Sequence, residues 1–175
     1  MIREESICLR AVEPGDADFM YEVENDSTAW GYGDTIAPIS RNILREYALN
    51  YDANPLACGQ LRMIVTESAT GKPIGIADLY EISAIHRRAF AGIYILPEFR
   101  GRGYARQSIK ALCRYCRGVL RLNKIAAKIE ESNVGSIRLF TTSGFIHEAS
   151  LRNWICNADG TFSDLRILTK DLQCI

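Results

Sequence analysis

Three short apolar runs in the middle of the chain, "GQLRMIVTE", "KPIGIADLYEI" and "RRAFAGIYIL", limit the fold more than any other feature. Each is short, and the turn-forming "SATGKP" separates the first two. They predict three consecutive antiparallel strands. Directly afterwards the period changes. Ala105, Ile109, Leu112, Cys113 and Cys116 recur at helical spacing and predict an amphipathic helix that ends near Gly118.

The flanks extend this pattern. Cys8 to Val12 alternate as a strand, Pro14 and Gly15 break it, and Asp16 caps a helix with Phe19, Met20 and Val23 on one side. Ser40 caps a second helix whose stripe is Ile43, Leu44, Tyr47 and Ala48. "NKIAAKIEE" reads as a strand, and "SNVGSIRLFTTSGF" as a short helix that starts at Ser132 or Asn133 and stops at Gly144. Glu148 to Cys156 and Phe162 to Thr169 flank the turn "NADG" as a hairpin. The order β-α-α-β-β-β-α-β-α-β-β predicts an α+β fold: a mixed, mostly antiparallel twisted sheet of about seven strands with helices on both faces. With 175 residues, one domain over residues 1–175 is expected.

Composition excludes several functions. Lys plus Arg and Asp plus Glu number 21 each, and this balance argues against nucleic acid as a partner, because phosphate-backbone affinity needs a net basic face. No apolar run approaches a membrane span and the N-terminal residues carry no signal-like apolar core, so no membrane association and a cytoplasmic location are expected. There the six cysteines are expected as free thiols. Cys113 and Cys116 have the spacing of half a zinc or redox site, but both sit on the apolar stripe, so core packing is the reading and no metal is expected. His86 and His147 lack a third ligand or a triad pattern and read as surface or hydrogen-bonded structural residues.

Chemistry concentrates in "PEFRGRGYARQSIKAL". A helix N-terminus exposes unpaired N–H groups and a partial positive charge, and glycine lets an anion approach the backbone closely. Gly101 and Gly103 allow a concave nest of amides, Arg100 and Arg102 add charge, and Ala105 keeps the first turn narrow. Arg106 is near enough to the helix start to reach a phosphate. The natural ligand is a pyrophosphate. The spacing is R-x-x-G-x-A, which is neither a P-loop nor the dinucleotide fingerprint.

Arg100, Gly103 and Ala105 fill the Q/R-x-x-G-x-G/A signature of the GCN5-related N-acetyltransferase superfamily, which the chain resembles along nearly its whole length. "SNVGSIRLFTTSGF" is similar to that family's "N-x-x-a-x-x-l-y-x-x-x-G-F" segment. "DLYEISAIHRRAFAGIYILPEFRGRGYA" and "NWICNADGTFSDLRIL" resemble the branch of spermidine and ribosomal-protein N-acetyltransferases. The resemblance implies acetyl-CoA as cosubstrate, an amine acceptor, and direct attack of the amine in a ternary complex. It implies a slot where Tyr94, Ile95 and Leu96 pair with the pantetheine arm. Gly101, Arg102, Gly103, Tyr104, Ala105, Arg106 and Gln107 would hold the pyrophosphate, and Asn133 and Ser136 match positions near the thiol end.

An alkylamine has a pKa near 10, so a carboxylate must take its proton. Glu81 matches a carboxylate position of the spermidine enzymes and is preferred over Asp78, which regular alternation would put on the opposite face; a substrate-binding role and a solvated strand-end charge are the competing readings of Glu81. The backbone N–H of Leu96 is the expected oxyanion donor. The family's usual proton-donating tyrosine is replaced by Phe140, which leaves three alternatives: another group such as Ser136 or Ser143 acting through water, a water itself, or departure of the sulfur as thiolate without an acid. Trp30, Tyr32 and Tyr80 have two readings, walls of an acceptor pocket or packing residues beside glycines. "WGYGDTIAPIS" offers only Asp34 where polyamine sites need several acids, so a protein N-terminus or small amine is favoured over spermidine. Phe140 also motivates a different reading, an acyl-CoA-binding regulatory module without turnover. The last hairpin is expected to pair with another subunit as a homodimer or higher homo-oligomer.

Overall fold

The computed structural model describes residues 1–30, 37–51, 54–157 and 159–172, with backbone only at residues 28 and 29. Two N-terminal strands, β1 (Ile2–Glu4) and β2 (Ile7–Ala11), lead through a 3-10 turn at Pro14–Asp16 into α1 (Ala17–Glu24) and α2 (Ser27–Trp30). Helices α3 (Arg41–Leu49) and α4 (Pro55–Cys58) precede the meander β3 (Leu61–Glu67), β4 (Pro73–Ser83) and β5 (Arg88–Ile95). Then come α5 (Tyr104–Gly118), β6 (Lys124–Glu130), α6 (Val134–Thr142), β7 (Ile146–Cys156) and β8 (Phe162–Asp171).

One eight-stranded sheet runs β1-β2-β3-β4-β5-β6-β8-β7, and β5–β6 is its parallel pair. The strand beyond the periodicity count is β1, whose three residues "IRE" are too few to show alternation. Ser40 caps α3 as expected, accepting from the Ile43 amide at 3.3 Å. Of the α3 stripe, Leu44 and Ala48 are buried while Ile43 is 61% exposed.

Residues Ile74 to Ala77 of β4 and Met63 to Thr66 of β3 are buried consecutively. Successive strand side chains point to opposite faces, so both faces of the central sheet are covered. Helix α5 packs on β1, β2, β4 and β5, burying Ile109, Leu112, Cys113 and Cys116. The end of α1 reaches the other face, where Glu24 pairs with Arg62 of β3. No described helix is long and apolar enough to cross a membrane.

Candidate active site

The two strands at the centre of the sheet separate. β5 and β6 pair only through Arg88–Lys124, Ala89–Ile125 and Phe90–Ala126, although β5 runs on to Ile95 and β6 to Glu130. β5 stays bonded to β4 through Ile95, and β6 to β8 through Glu130. A slot therefore opens between the C-terminal halves of β5 and β6. At its end β4 and β5 lie in close contact, since a Cβ at Gly75 would stand 2.3 Å from the Tyr94 carbonyl oxygen.

Which peptide groups face this slot follows from the ladder. The Leu96 amide donates to the Ile74 carbonyl at 2.9 Å, so residues two apart, Tyr94 and Gly92, also turn their peptide groups toward β4. Ile93 and Ile95 turn theirs into the slot. This corrects the expectation at two of three positions: the Leu96 N–H is committed and cannot meet an oxyanion, and the Tyr94 peptide faces β4. The Ile95 carbonyl accepts from Arg100 Nε at 2.9 Å.

Beyond β5, a 3-10 turn at Pro97–Phe99 leads to Gly101 and Gly103, with φ of 77° and 80°. These left-handed residues curl the chain before α5. Among the described residues, none of the backbone N–H groups of residues 101–106 has an acceptor. Arg100 N–H instead donates to Pro97 and Gln107 N–H to Gly103. Six consecutive free amides at a helix start are the nest that the glycine spacing predicts.

The side chains are arranged differently from the expectation. Arg100 is held against the Ile95 carbonyl and its guanidinium lies 5.5 Å from the Tyr94 ring centroid, so it braces β5. Arg102 donates to the Glu98 carbonyl and lies over the Phe99 ring. Tyr104 turns inward, donating to Glu67 at 2.7 Å, and that carboxylate pushes the phenol pKa up. Gln107 Oε1 accepts from Ser6 N and Oγ at 3.0 and 2.9 Å, and thus ties α5 to the β1–β2 turn rather than to a phosphate. Ala105 is half-buried and Arg106 exposed at the nest.

Across the slot, Asn133 caps α6 by accepting from Ser136 N at 3.0 Å. Phe140 is 4% exposed and packs edge-on to Phe145, with centroids 4.9 Å apart. Ser143 Oγ donates to the Leu139 carbonyl, which removes it as a proton source.

On the face reached by α1, Arg62 holds Asp78 with two bonds of 2.9 and 2.8 Å and also holds Glu24. Burial opposes the Arg62 charge, but Asp78 and Glu24 more than offset it and keep the guanidinium pKa above its usual value. Tyr94 donates to Asp26 at 2.6 Å, and burial together with this bond pushes its pKa up to about 12. Trp30 Nε1 donates to the Glu24 carbonyl at 2.8 Å. Tyr32 and Asp34 lie outside the described residues.

Glu81 departs from regular strand geometry. The β4–β5 register shifts between Tyr80 and Ser83, and Glu81 has a φ of 49°. The bulge breaks the alternation that separated Asp78 from Glu81, and the Glu81 carboxylate meets Lys128 of β6. Lys128 itself lies over the rings of Phe90 and Tyr80. Neither Lys128 nor Phe90 stands out in the sequence, because their approach depends on the bulge. Among the described residues, no three His, Cys, Asp or Glu side chains converge as a metal site.

The family described as Acetyltransferase (GNAT) domain matches residues 6–146. Spermidine N(1)-acetyltransferase of Vibrio cholerae is 32% identical over 145 residues, covering 83% of this chain and 82% of that protein. YdaF of Bacillus subtilis, whose name proposes a ribosomal N-acetyltransferase, is 29% identical over 164 residues, covering 85% and 82%. The structure of the Vibrio cholerae spermidine N-acetyltransferase in complex with CoA and spermine aligns with a TM-score of 0.86 and 28% identity over 97% of each chain. A dodecameric structure of the Vibrio cholerae enzyme in an intermediate state aligns with a TM-score of 0.79 and 27% identity, covering 97% of this chain and 95% of that one.

Proposed function

Because this chain belongs to the GNAT acetyltransferase family, we propose that it moves the acetyl group of acetyl-CoA directly to one primary amine, on a protein N-terminus or a small molecule. The observation that carries this is the run of six acceptor-free amides at residues 101–106 beside a slot lined by Ile93 and Ile95. The amides of residues 101–106 hold the pyrophosphate, with Arg106 adding charge. The Ile93 peptide group and the Ile95 N–H, whose own carbonyl is held by Arg100, pair with the pantetheine amides and orient the thioester.

Acetyl-CoA supplies an activated acetyl group when bound. The amine nitrogen attacks the carbonyl carbon, the C–S bond breaks, and the electron pair leaves on sulfur. A slot-facing amide of β5 meets the oxygen as its charge grows, with no rearrangement. Glu81 takes the amine proton through its Oε2, since Lys128 engages Oε1. Phe140 donates nothing, so sulfur departs as thiolate, which a thiol pKa of about 8.5 makes feasible near neutral pH.

Relatives named as spermidine acetyltransferases supply a second reading. Against it, Arg62 holds Glu24 and Asp78, and Lys128 pairs with Glu81. A polyamine requires carboxylates for two or three ammonium groups, so a monoamine is the better fit. Self-association through β7–β8 is part of the proposal: β7 has no buried residue, and Trp154 is 62% exposed.

Gly103→Val tests the site. At a φ of 80° valine is strained and distorts the nest, so coenzyme A affinity, measured by calorimetry, is expected to fall at least about 100-fold while the variant stays folded. Unchanged affinity would refute the nest.

A further inference from the structure

Where β5 and β6 stop pairing, Lys128 does something that acetyl transfer does not require. It lies two residues past Ala126 on β6, on the face that carries Phe90 and Tyr80. Its Nζ is 4.4 Å from the Phe90 ring centroid and 5.8 Å from that of Tyr80, and it pairs with the Glu81 carboxylate. The rings are stacked, with centroids 5.7 Å apart and planes at 20°, and form one wall. A carboxylate beside aromatic faces is a box for an ammonium group, because each attracts positive charge. The bulge builds this box. Its φ of 49° at Glu81 is a conformation that a residue with a side chain keeps only where its surroundings impose it, and such strain gathers at functional sites.

We infer that Lys128 is a built-in occupant of an ammonium subsite beside the slot, and that it excludes polycationic acceptors while leaving room for an amine with one charge. The inference rests on the proposed acetyl transfer only in calling the incoming amine an acceptor; the box and its occupant are geometry. A tethered group acts at an effective concentration on the order of millimolar, so an outside polyamine must displace it. Lys128 Nζ engages Glu81 Oε1, which leaves Oε2 for the proton of the reacting amine. A second ammonium finds Glu24 and Asp78 already bound to Arg62.

Calorimetric titration of spermidine into the full chain, without coenzyme A, tests this. Lys128→Met keeps an unbranched stem against Phe90 and removes the charge. Spermidine is expected to bind Lys128→Met about tenfold more tightly than the native chain, the combined effect of one exposed ion pair and one ring contact. Adding Glu81→Gln is expected to abolish that gain. Equal affinity for the native chain and Lys128→Met would overturn the inference, as would a gain that survives Glu81→Gln. If Lys128→Met lowers the unfolding temperature, Lys128→Gln is read in the same way. Coenzyme A affinity is measured on the same samples. Its absence in the native chain would refute acetyl transfer yet leave the spermidine comparison readable.

Discussion

Cys113 and Cys116, three residues apart on α5, illustrate how one residue's surroundings set its chemistry. Both are buried, and burial pushes the Cys113 thiol up to about 11 and the Cys116 thiol higher still. A raised thiol pKa favours the unreactive neutral form, so both thiols stay protonated and unreactive at pH 8. Iodoacetamide at pH 8 followed by peptide mass mapping is expected to label exposed Cys58 and Cys156 and to spare Cys113 and Cys116 until denaturant is added. Native labelling of Cys113 at the rate of Cys58 would contradict the packing. The packing role was legible in the apolar periodicity of "ARQSIKALCRYC". The roles of Gln107 and Leu96 were not. Gln107 bonds Ser6, 101 positions away in the chain, and the direction of the Leu96 amide depends on the hairpin register.

Elements locate the site. The short apolar runs and the turn residues between the first two announced the meander, and the glycine spacing announced the start of α5, because these signals are local. The Glu81 bulge was hidden, since glutamate carries no signature of a positive φ. Its consequence is large: Glu81 and Lys128 meet across two strands that are not neighbours in sequence. Gly75 fixes the β4–β5 pairing beside the slot, because a Cβ there would also lie 2.7 Å from Ile95 Cδ1. Gly75→Ala is expected to cost about 1–3 kcal/mol in urea unfolding, since strand shifts must relieve the overlap. It should also weaken coenzyme A binding. A stability change within about 0.3 kcal/mol would show that the contact relaxes freely.

At the scale of the molecule, a sheet covered on both faces at its centre opens along one seam, and the seam holds the proposed chemistry. The outer edge is different: β7 exposes Ile146 at 63% and Trp154 at 62%. Sedimentation velocity is expected to show a species larger than a monomer, and Trp154→Lys to shift it toward the monomer. A native chain that sediments as a monomer at micromolar concentration would remove self-association from the account. The central claim is transfer to a single amine. Its most direct test is thiol release from acetyl-CoA by the native chain with primary monoamines, N-terminal peptides and spermidine as acceptors. The account predicts acetyl-CoA-dependent release with a monoamine or peptide that exceeds release with spermidine; coenzyme A binding without release on any amine, or spermidine as the preferred acceptor, would contradict it.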